Sequence, residues 1–337
     1  MPFQIVRNNI VNMPVDAVVN AANTRLQMGS GVCGAIFNAA GPAPLQRACD
    51  RLAPCPTGQA VITPGFGLQA KHVIHAVGPV WQGGSANEEA LLRSAYVSSL
   101  RLAKENQLES IAFPLISSGV YGYPKDQALQ VALSAIQSFL LDEGDMDVYL
   151  VVFDSAAFTL SEKLSASVRS YIDQHYVDAV ERSPAYRSRR LEQYDFLQSE
   201  CCAAPAPSAP KKSLKDLLAH RHEETFSEML LRLVDEKGFA KDSIVYKRAN
   251  LERSVFSKLR SNKDYAPSKS TAVALCIALE LNMDQTRDLL ARAGYALSPS
   301  SLSDVIVSYF IENSSYNIYE LNSVLFEYKQ NPMGAKG

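Results

Sequence analysis

The stretch that decides the fold is VDAVVNAANTRLQMGSGVCGAIFNAAG, residues 15–41. Its first six residues are an apolar run closed by a polar one, the pattern of a buried strand over 15–20. A polar turn follows, and then Gly29-Ser30-Gly31-Val32-Cys33-Gly34 opens a helix expected over 34–40. Working outward, further strands are expected over 72–77, 111–114 and 148–153. Helices are expected over 87–106, 125–141 and 154–176. Strands alternating with helices predict an α/β fold, a layered sheet covered by helices on both faces.

Three loops stand where α/β proteins bind ligands, at the ends of strands. They are Asn20-Ala21-Ala22-Asn23, the glycine loop 29–34, and Ile116-Ser117-Ser118-Gly119-Val120-Tyr121-Gly122. Two glycine-rich loops offer open main-chain N–H groups, and helix N-termini add partial positive charge. That combination suits a diphosphate better than a single phosphate. Tyr121 adds an aromatic face or a hydroxyl.

The 337 residues are 47% hydrophobic and 20% charged, which excludes a largely disordered chain and makes two domains the prior. No apolar run reaches the ~18 residues of a membrane span, and the N-terminus lacks the basic-then-apolar pattern of a secretory signal. A bacterial-type cytoplasmic protein is expected, with no membrane partner. The six cysteines (Cys33, Cys49, Cys55, Cys201, Cys202 and Cys276) form no CxxC pair, so reduced thiols are expected and neither a metal nor a cofactor is implied.

The texture changes after residue 177. Residues 178–223 read as a linker, with Ala203-Ala204-Pro205-Ala206-Pro207 at its centre. Residues 224–337 read as an all-helical domain, separate from the sheet. Lys and Arg against Asp and Glu number 11 to 14 over 1–175 but 12 to 9 over 226–297, so only the second stretch leans toward a polyanion. The segment KDSIVYKRANLERSVFSKLRSNKDYAPSKSTAVALCIAL, residues 241–279, resembles a Cro/repressor-type helix-turn-helix. That resemblance makes Arg253, Ser254, Ser257, Lys258, Arg260 and Asn262 the candidates for reading bases or holding phosphates of DNA. A docking module or a homodimer interface is the alternative use of such a bundle.

The first domain resembles the macrodomains, and the MacroD-type branch in particular. The resemblance rests on residues 15–41, on CPTGQAVITPGFGLQAKHVIHAVGP (55–79) and on IAFPLISSGVYGYP (111–124), in that order. It implies a three-layer α/β/α fold with a mixed sheet over residues 1–177, binding ADP-ribose or ADP-ribosylated substrates. It also implies a ligand set of Asn9, Ile10, Asn20, Ala22, Asn23, Ser30, Gly31, Val32, Cys33, Ser117, Ser118, Gly119, Val120 and Tyr121. Asn23 falls at the distal ribose, while His75 is read as a core residue.

Two departures bear on activity. Where the family has Gly-Asp-Ile, this chain has Asn8-Asn9-Ile10, so an amide replaces the carboxylate expected at the adenine amino group. Where hydrolytic members carry aspartate and histidine, it has Cys33 and Phe37. A thiol of pKa ~8.5 is a poor general base beside an ionised carboxylate. Three readings of Cys33 stay open: a passive residue of a binding site, a thiolate nucleophile at a helix N-terminus, or a bystander to slow hydrolysis by loop-held water. The functional expectations are accordingly an ADP-ribosyl hydrolase or O-acetyl-ADP-ribose deacetylase using Asn23 and Cys33, or a non-catalytic sensor of ADP-ribose or a related nucleotide controlling the helical domain.

Overall fold

The computed structural model describes residues 3–152, 162–181 and 224–334. Six strands form one sheet: β1 (Phe3–Arg7), β2 (Ala17–Ala22), β3 (Ala60–Pro64), β4 (His72–Val77), β5 (Ser110–Phe113) and β6 (Asp147–Val152). Their order is β1-β6-β5-β2-β4-β3. All neighbouring pairs are parallel except β3 with β4, so the sheet is mixed. Side chains alternate between the two faces of each strand. Ala17 and Val19 of β2 join the core under α3 (Glu88–Glu105) and α4 (Lys125–Asp142). Val18 and Ala22 join the core under α1 (Gly31–Ala40) and α2 (Pro42–Asp50). This is the three-layer α/β/α arrangement.

The boundaries shift where side chains intervene. β2 starts at Ala17 because Asp16 is engaged below the ladder: its carboxylate accepts the N–H groups of Glu109 and Ser110, and its carbonyl accepts His72 N–H. β1 and β3, which the sequence pattern does not reveal, are half-buried edge strands without clean alternation. α1 starts at Gly31 rather than residue 34. The closing helix, α5 (Glu162–Glu181), starts later than expected and runs past 177. The proline-rich centre of the linker and the Cys201-Cys202 pair lie outside the described residues.

The second half is helical: α6 (Phe226–Glu236), α7 (Asp242–Arg248), α8 (Arg253–Ser261), α9 (Lys269–Ala278), α10 (Met283–Arg292), α11 (Leu302–Glu312) and α12 (Ile318–Glu327). Reciprocal caps start α6 (Thr225 with Glu228) and α10 (Asn282 with Gln285). α9 is buried all round from Ala272 to Ala278, as a helix apolar on every side must be, and α7, α10 and α12 pack against it. Among the described residues, no helix is long and apolar enough to cross a membrane.

The bundle also docks on the sheet. Asn250, in the turn between α7 and α8, takes a left-handed φ of 55° and is 1% exposed. Its Oδ1 accepts Phe3 N–H at 2.7 Å and its Nδ2 donates to Phe3 O at 3.0 Å. One amide thus pairs with the outer side of edge strand β1 as a neighbouring strand would. The Phe3 ring packs on Tyr319 of α12 with centroids 5.2 Å apart. Lys247 sits over the C-terminal end of α4, near the carbonyls of Leu141 and Gly144 and 3.5 Å from the Asp145 carboxylate. An edge strand left open is a template for aggregation, and this one is covered.

Asn250→Ala removes both partners of a buried main-chain N–H and C=O. Urea unfolding of the full chain is expected to show a loss of about 2–4 kcal/mol, with faster amide exchange at Phe3. A loss within 0.5 kcal/mol, the ordinary range for a surface change, would mean that the docking contact does not hold in solution.

Candidate functional site

Because β1, β6, β5, β2 and β4 run parallel, their C-terminal ends lie along one edge of the sheet. The loops singled out from the sequence stand there together. The first, after β2, is shaped by Asn23. Its Oδ1 accepts the N–H groups of Arg25 and Gln27, and its Nδ2 donates to Gln27 O at 2.7 Å. Gln46 of α2 staples the same loop, accepting Met28 N–H and donating to Leu26 O. A residue that sequence reasoning missed therefore holds the loop, from a position with no local signal.

The loop turns into α1 at Ser30, whose side chain makes no cap, so the first-turn N–H groups of α1 stay open. Gly31 takes φ +61°. Gly34 allows close approach: a Cβ there would meet Gly29 O at 2.7 Å. Cys33 faces back into this loop, 6% exposed, with its sulfur 3.3 Å from the Gly29 N–H donor. Among the described residues, no imidazole or carboxylate hydrogen-bonds it.

The second loop closes on itself through Gly122 N–H to Gly119 O and Tyr123 N–H to Ser117 O. Ser117 has φ +64°, and its buried hydroxyl, without a partner among the described residues, lies against the bare Cα of Gly78, where a Cβ would come within 2.2 Å of it. Ser118 donates its hydroxyl to Leu115 O, while Gly119 is exposed and Val120 is 87% exposed. Beneath, the fully buried Tyr96 hydroxyl accepts Ile116 N–H and donates to Pro114 O. Tyr121 is half-buried, and burial pushes its phenol above the ordinary value.

The other residues of the expected set are placed differently. Asn9 heads a 3-10 turn over Ile10–Asn12, its Oδ1 accepting Val11 N–H at 3.3 Å, and Ile10 is buried below it. Val32 is half-buried in the first turn of α1. Ala22 and Asn20 do not reach the surface, being 3% and 1% exposed. Asn20 instead belongs to a buried network, because its position in β2 points toward α1 and α2. Its Nδ2 lies 3.1 Å from His75 Nδ1, and His75 Nε2 is 3.0 Å from Thr63 Oγ1. Cys49 Sγ lies 3.6 Å from the same Nε2. Phe37 packs edge-on to this ring. Burial pushes His75 down to about 4 and Cys49 up to about 11, so both are neutral core groups at pH 7. No three His, Cys, Asp or Glu side chains among the described residues come together as a metal site.

Comparison with known proteins bears directly on this half. The Macro domain family model matches residues 19–132. A macro domain-containing protein of Methanosarcina mazei is 51% identical over 153 residues, 45% of this chain and 81% of that one. The chain belongs to the macrodomain family. The O-acetyl-ADP-ribose deacetylase of Escherichia coli K12 is 47% identical over 167 residues, covering 48% of this chain and 94% of that enzyme. The Oceanobacillus iheyensis macrodomain with ADP is 39% identical, covering 49% of this chain and 91% of that one, with a TM-score of 0.45.

Outside the macrodomain site, the helix-turn-helix candidates are mostly at the surface. Arg253, Ser254, Ser257, Lys258, Arg260 and Asn262 are all exposed on or beside α8. Arg260 is clamped to Asp242 by two hydrogen bonds, Ser254 donates to Glu252, and Asn262 accepts Asp264 N–H. Lys263, next to them, pairs with Glu228.

The neutral His75 has a pH consequence. The unfolded chain takes up this proton near 6.5, and the folded macrodomain only near 4. The native state thus binds fewer protons in that window, and stability falls as pH drops through it, by up to about 3 kcal/mol for this group. Urea unfolding between pH 7 and 4 is expected to show this slope, reduced in His75→Gln. Equal slopes in both proteins would rule out a neutral buried imidazole.

Proposed function

We propose that this chain binds ADP-ribose, free or as an ADP-ribosyl group on a substrate, and hydrolyses such linkages slowly through water held at the site. The carrying observation is that two loops of open main-chain N–H groups converge on one sheet edge. The identity to the Escherichia coli deacetylase, which spans nearly all of that enzyme, supports the same reading. The diphosphate lies between Ser30, Gly31 and Val32 on one side and Ser118, Gly119 and Val120 on the other, against the N-terminus of α1. Asn9 accepts from the adenine amino group through its amide oxygen. Asn23 shapes the wall beside the distal ribose.

Cys33 is best read as the passive residue. Its sulfur is occupied by its own loop, and among the described residues no imidazole or carboxylate hydrogen-bonds it. With O-acetyl-ADP-ribose, water adds to the ester carbonyl, the acyl C–O bond breaks, the ribose oxygen leaves with one proton as the hydroxyl of ADP-ribose, and acetate is released with loss of the other proton. The proton goes to a ligand phosphate or to bulk water, so the step lacks the ~10²–10⁴-fold contribution of a placed general base.

A second reading, a non-catalytic sensor, is favoured by the docked bundle. β1 runs from Phe3, gripped by Asn250, into the Asn8–Ile10 turn at the site. Contact of α8 with DNA belongs to this reading. Among the described residues, Arg253 and Lys258 are the cations of that face outside ion pairs. Neutralising two phosphates gives a slope of about −2 in log affinity against log salt.

Calorimetry of ADP-ribose into the full chain, followed by product assays on O-acetyl-ADP-ribose and ADP-ribosylated protein, tests the proposal. Micromolar binding with slow release is expected. Cys33→Ala should keep turnover within about threefold, and Cys33→Asp should raise it about tenfold or more. Collapse of turnover in Cys33→Ala would make the thiol a participant. Binding without turnover would leave the sensor reading, and no binding would remove both.

A further inference from the structure

Between β4 and α3, residues 78–87 carry no charge and fold into a loop that packs beside the second site loop. Gly83, Gly84 and Asn87 take φ of +100°, +88° and +61°, the positive values that glycine and asparagine supply most readily. What holds it is Glu88, the first residue of α3, which is 1% exposed. Its Oε1 accepts the N–H groups of Gln82 at 3.0 Å and Gly84 at 3.1 Å. Its Oε2 accepts Ala86 N–H at 2.5 Å. Burial alone raises this carboxyl, but these three donors and its own N–H outweigh it and hold the group below the ordinary glutamate value. On the facing loop, Tyr123 is pushed up by burial first and then by the charges of Glu89 and Glu88, and no Lys, Arg or His pairs with Glu88 among the described residues.

The loop that Glu88 gathers ends on Trp81. The main-chain N–H of Trp81 donates to Tyr121 O at 2.9 Å, and the Trp81 ring lies 4.5 Å from that of Tyr123. Gly84 leaves room for this ring, since a Cβ there would come within 3.1 Å of it. Tyr123 in turn donates to Ser117 O. Residues 117–122 carry a strained Ser117 and the almost fully exposed Val120, so support from outside the loop matters.

We propose that Glu88 is a positioning residue for the diphosphate-binding loop. It folds residues 82–86, and through Trp81 it fixes the height of Tyr121 and hence of the N–H groups of 118–120. This rests on the reading of that loop given above. The carboxylate acts through main-chain contacts and does not touch the ligand.

Trp81 is the single tryptophan of the chain, so its fluorescence reports this loop alone. In the full chain, Glu88→Gln is expected to red-shift Trp81 emission and increase its quenching by acrylamide. ADP-ribose affinity should fall about tenfold, since a small misplacement of a positioning loop is costly. Glu88→Asp should recover part of both. In wild type, emission should hold steady as pH falls through the ordinary carboxylate range and change only below it, before far-UV circular dichroism is lost.

Wild-type emission and quenching in Glu88→Gln would overturn the proposal, as would altered emission with unchanged ADP-ribose affinity. If Glu88→Gln does not fold, the wild-type titration decides: emission that changes only with global unfolding overturns it. A wild-type chain that fails to bind ADP-ribose overturns the function and this role together. Binding that Glu88→Gln leaves intact overturns this role alone.

Discussion

The parallel pairing of β2 with β5 on one side and β4 on the other is the constraint on which the rest depends. Parallel strands send all their C-terminal ends to the same edge, and each must be followed by a crossover. Loops separated by nearly a hundred residues, after β2 and after β5, are thereby brought side by side. The antiparallel β3 ends the sheet beyond β4, and its N-terminal end is the one that lies at that edge, with Gly58 and Gln59 bonded to Val77. Asp16 fastens the opposite edge by taking the N–H groups of Glu109 and Ser110 at the start of β5. The clustering of these loops is thus a consequence of strand direction before it is a consequence of any side chain.

Within that frame the polar side chains mostly serve the main chain. Asn23 folds its own loop, Gln46 staples it, Tyr96 props the second loop from below, and Glu88 gathers the third. Such an arrangement leaves backbone N–H groups as the chief donors to a ligand, which fits a polyphosphate. It also leaves the site without an obvious proton carrier. Cys33 is buried by a loop that bonds its sulfur, and the histidine that lies closest in the chemistry of the fold, His75, is locked neutral in the core with Asn20 and Thr63.

The helical half meets the sheet through a few specific contacts. Asn250 satisfies both polar groups of Phe3, Tyr319 covers its ring, and Lys247 caps α4. The core runs continuously from α4 and β1 into α7 and α12. The turn between the two helices of the helix-turn-helix pattern is therefore an inward-facing element, while α8 looks outward.

The alternation of strands and helices, the glycine loops and the departures at Asn9 and Cys33 were legible in the sequence. Each depends on residues adjacent in the chain, through apolar periodicity or backbone freedom, or on a single substituted position within a motif. The edge strands β1 and β3 were not legible, because half-buried five-residue strands lack a clean period. Nor was the burial of Asn20, which depends on which face of β2 it occupies once the strand starts at Ala17. The roles of Gln46, Tyr96, Glu88 and Asn250 came only with the tertiary structure. A hydrogen bond between side chain and distant backbone has no sequence period, and its partner is set by how the layers pack.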